Sequence, residues 1–248
     1  MQNYKMTIAY DGRRYTGFNK EKRNVDKSIQ GKLEEILKKC YQKDIEVIGA
    51  VNTAAGVHAK KQIVNFTVPN NKLNATEIKK YFERYLTDDI IVLDAEKVDE
   101  RFHSRYLAKS VTYKYRLWKK DATKRPLFQR QYVNLMSQKL DVDKMKKAAN
   151  DFLGEHNFLA YSANRRIKKS IKEVYDIQIE ETKNEIIIKI TANSFLLNME
   201  RIMVGTLIQM SLGQLPMDVI VKSYDLQDGD EVGHKASADA LCLVDINY

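Results

Sequence analysis

The chain has 248 residues, 44% hydrophobic and 30% charged, a balance that suits one large folded domain or two small ones and excludes a low-complexity chain. Lysine and arginine outnumber aspartate and glutamate by 42 to 33, and the resulting net charge of +9 gives a surface that attracts polyanions, phosphate backbones among them. No apolar run nears the ~20 residues that span a bilayer. The two cysteines, Cys40 and Cys242, have no C-x-x-C partner, so neither a disulfide framework nor a zinc site is expected. The first residues enter a strand-like segment with no secretory apolar stretch, and a cytoplasmic protein is expected.

Alternation over Tyr4 to Tyr10 predicts a first strand. Ile29, Leu33, Ile36, Leu37 and Cys40 then fall at helical spacing, which predicts a helix from about Ser28. Strand-like runs follow at Ile45 to Val51 and Gln62 to Val68, then a helix carrying Ile78, Tyr81, Phe82 and Tyr85, then a strand from Ile90 to Val98. The order is β-α-β-β-α-β, the split βαβ unit of a ferredoxin-like fold. The second half repeats it. Val111 to Trp118 reads as a strand, and Val142, Met145, Ala149 and Phe152 mark a helix. Strands at Ile171 to Glu181 and Glu185 to Ala192 precede a long helix from about Leu196, a short helix near Pro216 and a final strand from Ala240 to Asn247. The fold class expected is α+β: two tandem ferredoxin-like halves, 1–104 and 105–248, with a mainly antiparallel central sheet and a cleft between the halves.

Basic clusters occur at Arg13-Arg14, Lys20 to Arg23, Lys60-Lys61, Lys119-Lys120, Lys124-Arg125 and Arg165-Arg166 with Lys168-Lys169. Several fall in loops, where cations can track phosphates, and the segment from Arg165 to Lys169 is the best candidate for a phosphate-contacting arm. His58 reads as a structural hydrogen-bonder rather than a base, and His103, His156 and His234 are too dispersed for a metal site, so none is expected.

Four segments resemble the tRNA pseudouridine synthase A family. The first is Tyr10-Asp11-Gly12 with Tyr15, Gly17 and Phe18, followed by Ser28-Ile29-Gln30. The second runs from Asn52 to Ala59, Asn-Thr-Ala-Ala-Gly-Val-His-Ala. The third is Phe102-His103-Ser104-Arg105 with Lys109 and Tyr113-Lys114-Tyr115; the fourth is Phe195 to Arg201 with Val204-Gly205-Thr206-Leu207. The resemblance implies a pseudouridine synthase fold, a homodimer that grips tRNA, and isomerisation of uridine to pseudouridine in the anticodon stem-loop without metal or organic cofactor. It also implies a catalytic aspartate in the second segment, where the family reads Gly-Arg-Thr-Asp-Ala-Gly-Val-His-Ala.

Here that stretch begins Val51-Asn52-Thr53-Ala54, so Ala54 stands in place of the aspartate and Asn52 in place of the arginine. A methyl group can neither attack nor take a proton, and asparagine lacks the charge and planar fork of arginine. No Asp or Glu occurs between Asn52 and Val68 to take over, and Asp11, before Gly12, reads as a turn residue. Further departures (Glu200 at a usually apolar position, Asn157, Lys172, and Ala236-Ser237-Ala238 with Ala240) favour natural divergence over one engineered change. The expectation is therefore an inactive, RNA-binding homologue with no intact catalytic residue, a folding or ribosome-associated factor for tRNA or rRNA. The alternatives are an active tRNA pseudouridine synthase or an engineered inactive one. By the resemblance, Tyr113 matches the tyrosine that contacts the flipped base and Arg201 the arginine opening the long helix. The candidate RNA-contacting residues are Asn52, Thr53, Gly56, His58, Arg105, Tyr113, Arg165, Arg166, Asn198 and Arg201.

Overall fold

A computed structural model describes residues 1–21, 25–69, 72–226 and 229–248; Lys22 and Arg23 of the second basic cluster lie outside the described residues. In chain order the strands are β1 (Gln2–Tyr10), β2 (Ile48–Gly49), β3 (His58–Val68), β4 (Ile90–Val98), β5 (Ser110–Trp118), β6 (Asn134–Leu135), β7 (Gly154–Asn157), β8 (Ile171–Glu181), β9 (Glu185–Ala192) and β10 (Leu241–Asn247). The helices are α1 (Ile29–Tyr41), α2 (Ala75–Tyr85), α3 (Val142–Ala149), α4 (Met199–Ser211) and α5 (Val219–Leu226).

Two compact units emerge, Met1–Lys109 with Cys242–Tyr248, and Ser110–Leu241. The halves expected from periodicity were 1–104 and 105–248; in the structure the last strand returns to the first unit, where Cys242 and Leu243 pair in parallel with His58 and Ala59. In that unit β1 lies antiparallel between β3 and β4. Helix α1 starts at the Ser28 side chain, which accepts the Gly31 N–H, and α2 starts in a capping box between Asn74 and Glu77. The rings of Tyr4, Phe66 and Phe82, the last of them on α2, pack in a tilted series with centroids 6.1 and 6.2 Å apart. In the second unit β9 pairs antiparallel with both β5 and β8, and β7 extends β8. Ile186, Ile188, Ile190 and Ala192 alternate inward from β9, where Met145, Phe152, Met203 and Leu207 are also buried. The α+β class and the mainly antiparallel pairing agree with the sequence.

Among the boundaries that differ, three have a clear local reason. Most of the Ile45 to Val51 run is not laddered, because side chains replace a partner strand: Glu34 accepts the Val47 N–H, Gln30 donates to the Val47 carbonyl, and Gln62 holds Val51. β3 begins four residues before Gln62, since Ala59 already pairs with Tyr10. Helix α4 begins at Met199 rather than Leu196 because Asn198 is left-handed, at φ 61°.

Gly205 shows how tightly α4 is packed. A Cβ there would lie 1.6 Å from the His234 carbonyl oxygen, and the same strap is bound to α4 through Gly233 N–H to Thr206 Oγ1 at 3.0 Å and Ala236 N–H to the Arg201 carbonyl at 3.1 Å. The Gly205→Ala variant must push the strap off the helix, with an expected loss of about 1–3 kcal/mol or more. Urea unfolding checks this; a midpoint equal to wild type would show that the strap yields freely.

Candidate functional site

The loop from Asn52 to Val57 is held by its surroundings on every side. Buried Gln62 points inward from β3, accepts the Val51 N–H at 3.3 Å and donates to the Val51 carbonyl at 2.7 Å. The Tyr10 hydroxyl lies 2.7 Å from Thr53 Oγ1, and burial raises its pKa far beyond the tyrosine range, so it stays a neutral hydrogen-bonding group. The Phe18 N–H donates to the Thr53 carbonyl at 2.9 Å. The loop then closes in a turn, Val57 N–H to the Ala54 carbonyl at 3.1 Å, with Gly56 at φ +80° in the position that favours glycine. Gly17 touches the same turn; a Cβ there would come within 2.7 Å of the Thr53 carbonyl oxygen.

Within this frame Ala54 is half-buried and forms an isolated bridge with Gly17. Asn52 is exposed, and its Oδ1 accepts the Asn19 N–H at 3.2 Å. His58 is buried, with Nδ1 3.2 Å from the Gly12 N–H and 3.2 Å from Asp11 Oδ1. Nδ1 accepts from Gly12 when the ring is neutral, which ties the start of β3 to the turn after β1. Asp11 caps that turn and holds the Arg13 guanidinium, with a shortest contact of 2.6 Å, so its carboxylate is committed locally. Arg105 is exposed, and its Nε donates to the Gly49 carbonyl at 3.2 Å. Thr53, Gly56, His58, Asn52 and Arg105 therefore all belong to the first unit.

Tyr113, Arg165, Arg166, Asn198 and Arg201 belong to the second unit. Tyr113 is 1% exposed, with its ring edge-on to Phe195 at 5.3 Å, so in this arrangement it is a core residue of β5. Its hydroxyl is hydrogen-bonded to the carboxyl group of Glu200, itself buried at the start of α4. Arg201 donates from Nε to the Ala236 carbonyl at 2.7 Å and from Nη1 to Asn198 Oδ1 at 3.2 Å. Neutral acceptors thus satisfy much of the guanidinium. Arg165 and Arg166 are exposed ahead of β8, and Arg165 pairs with Asp230 at 3.0 Å. Lys120, Lys124, Arg125, Arg166, Lys168 and Lys169 form no ion pair among the described residues, in contrast to Lys61 with Asp245 and Lys119 with Glu181. Among those residues no cluster of His, Cys, Asp and Glu could hold a metal ion.

The sequence profile of the tRNA pseudouridine synthase family matches residues 6–107 and 148–248. The chain belongs to the tRNA pseudouridine synthase family. It is 39% identical over 249 residues to tRNA pseudouridine synthase A 2 of Bacillus cereus (strain ZK / E33L), covering 100% of both chains. It is equally 39% identical to tRNA pseudouridine synthase A of Bacillus sp. (strain KSM-64), and 35% identical to tRNA pseudouridine synthase A 2 of Clostridium perfringens (strain 13 / Type A), again over 100% of both chains. Periodicity alone did not single out Gln62 and Tyr10 as the clamps of the tRNA pseudouridine synthase loop. The signal available was their inward register on paired strands, a polar side chain on a face otherwise filled with apolar ones.

Glu200 lies about 100° from Arg201 around the helix. That direction takes it under Tyr113. Burial pushes the Glu200 carboxyl from 4.5 up to about 7, while the Tyr113 hydroxyl and the Arg201 charge pull it back. The native state then holds this proton more tightly than the unfolded chain does. Its contribution to stability is full on the acid side, falls as pH rises through the interval from 4.5 to about 7, and is constant above it. Glu200→Gln removes the titration and keeps a hydrogen-bonding group. Urea unfolding of both proteins at several pH values should show wild type losing about 2–3 kcal/mol more than the variant between about pH 5 and pH 8. Parallel curves would mean that Glu200 is solvated.

Proposed function

We propose that this chain is a catalytically silent member of the tRNA pseudouridine synthase family that binds structured RNA, tRNA or rRNA. In this reading it works as a homodimer in the cytoplasm, as a folding or ribosome-associated factor, with no cofactor. The observation that carries the proposal is Ala54, a methyl group at the aspartate position, in a loop whose supporting hydrogen bonds are otherwise in place. Breaking the glycosidic bond needs a carboxylate set against the ribose, and a water molecule lacks that preorganisation. Loss of such a group typically costs several orders of magnitude in rate. Asn52 adds to the loss, since its side chain is engaged by the Asn19 N–H and carries no charge toward a nucleotide. RNA binding is supported by the net charge of +9 and by the loop cations that lack ion pairs.

Incubation with unmodified tRNA and mapping of pseudouridine tests the chemistry. Wild type should give no product, and the double variant Ala54→Asp with Asn52→Arg should give product, because none of the loop's supporting hydrogen bonds uses the side chain at 54. Product that scales with the amount of wild-type protein would refute the proposal. Binding is tested separately by titrating tRNA at rising salt. An interface of about four phosphate contacts should lose at least tenfold in affinity between about 50 and 200 mM salt, and a flat response would rule out phosphate recognition.

A further inference from the structure

Beside the altered loop, the first unit holds a cleft of about 440 Å³ bounded by Asn19, Lys20, Ile48, His103, Arg105 and Tyr106, with Glu46 at its edge. It lies next to the loop because the Asn19 N–H binds Asn52 and Arg105 Nε binds the Gly49 carbonyl. Its wall is the turn that follows Phe102. His103 Nδ1 accepts the backbone N–H groups of Arg105 and Tyr106, at 3.3 and 3.2 Å. With Nδ1 as the acceptor, the ring is anchored to the backbone of the turn. The His103 ring is stacked on Tyr106, with centroids 4.0 Å apart and planes 25° from parallel.

Tyr106 is nevertheless 80% exposed. An aromatic ring so open to water gains little for the fold, yet this one is held in a set orientation by the ring beneath it. Its other face is a stacking surface already paid for in conformational entropy. The charges around it narrow the ligand. Lys20 is neutralised by Glu34 at 2.5 Å and Glu46 is an acid, which leaves Arg105 as the unpaired cation of the cleft wall among the described residues. A polyphosphate or a multiply charged anion is poorly matched to such a balance. One aromatic base with one phosphodiester fits it, the ring for stacking and the Arg105 Nη groups for the phosphate.

We infer that this cleft takes a single unpaired nucleotide of the bound RNA, its base stacked on the outer face of Tyr106 and its phosphate met by Arg105. The inference rests on the RNA-binding reading above and adds a location and a mode of contact to it. Unpaired bases of RNA loops are the parts available for such stacking, whereas bases inside a duplex are not.

The test uses the full-length chain and two probes: unmodified tRNA, and a short unpaired oligoribonucleotide carrying one fluorescent purine. Tyr106→Ala, Tyr106→Phe and Tyr106→Trp are compared with wild type in both assays, with thermal unfolding of each. Stacking predicts a loss of roughly tenfold in affinity for Tyr106→Ala, near-wild-type affinity for Phe and Trp, and quenching of the purine that disappears only in the alanine variant. Because Tyr106 is so exposed, all four proteins should unfold at similar temperatures. Wild type that binds RNA while Tyr106→Ala binds equally well, with the same quenching, overturns the subsite and leaves the RNA-binding reading standing. Wild type that binds neither probe overturns both. Losses of equal size in the Ala, Phe and Trp variants would also overturn it, because the hydroxyl rather than the ring would then carry the contact.

Discussion

The candidate site depends on one buried amide. Gln62, fully enclosed in β3, spends both ends of its side chain on the peptide group of Val51, the last residue before the altered loop. A buried amide left unpaired would cost about 1–3 kcal/mol, so this pair of hydrogen bonds is strongly enforced. It fixes where the loop leaves β2, as the Tyr10 hydroxyl on Thr53 fixes its middle and the Gly56 turn fixes its end. None of these contacts involves the side chain at 54. The frame of the loop therefore does not depend on which side chain stands at position 54.

The glycines around the loop have a packing role of their own. Gly12, Gly17, Gly49 and Gly56 lie around the loop where a side chain would meet backbone or ring, or where φ is positive: a Cβ on Gly12 would lie 2.0 Å from the Val57 carbonyl oxygen, and one on Gly49 would lie 2.2 Å from the Phe18 ring. These are packing requirements, and they persist whatever happens at position 54. Asp11 and His58 belong with them. Their polar groups close the turn between β1 and β3, so their presence in a loop of catalytic appearance says more about folding than about proton transfer.

Much of the fold was legible in the sequence because its signals are periodic. The strands at Ile90–Val98, Ile171–Glu181 and Glu185–Ala192 were found at their full extent, since alternation on a half-buried strand is a direct record of its two faces. The Ile45 to Val51 run misled because its apolar residues are buried as a strand's would be, while its backbone is satisfied by Gln30, Glu34 and Gln62 side chains, which leave no periodic trace. β6 and β7 are two and four residues long, too short for a pattern. At the site, the substitution at Ala54 was visible because the surrounding motif sets the alignment. The Tyr113–Glu200 contact was not, since it joins residues 87 positions apart through packing alone.

The pattern of losses bears on how binding could outlive chemistry. The aspartate and arginine absent from the loop are opposite charges, so their joint replacement by Ala54 and Asn52 leaves the net charge of the region unchanged. Attraction to phosphates is a sum over many cations, each contributing modestly and each screened independently by salt. Isomerisation instead hinges on one carboxylate at one distance, where a displacement of about an ångström is already costly. On the proposed reading, the same pair of substitutions removes nearly all of the chemistry and little of the binding. Glu200 sharpens the contrast. Glu200 carries a carboxyl group in the second unit, but it is buried, hydrogen-bonded to Tyr113 and largely neutral below about pH 7. An acid in that state serves packing and the orientation of a tyrosine, and it is not an exposed nucleophile.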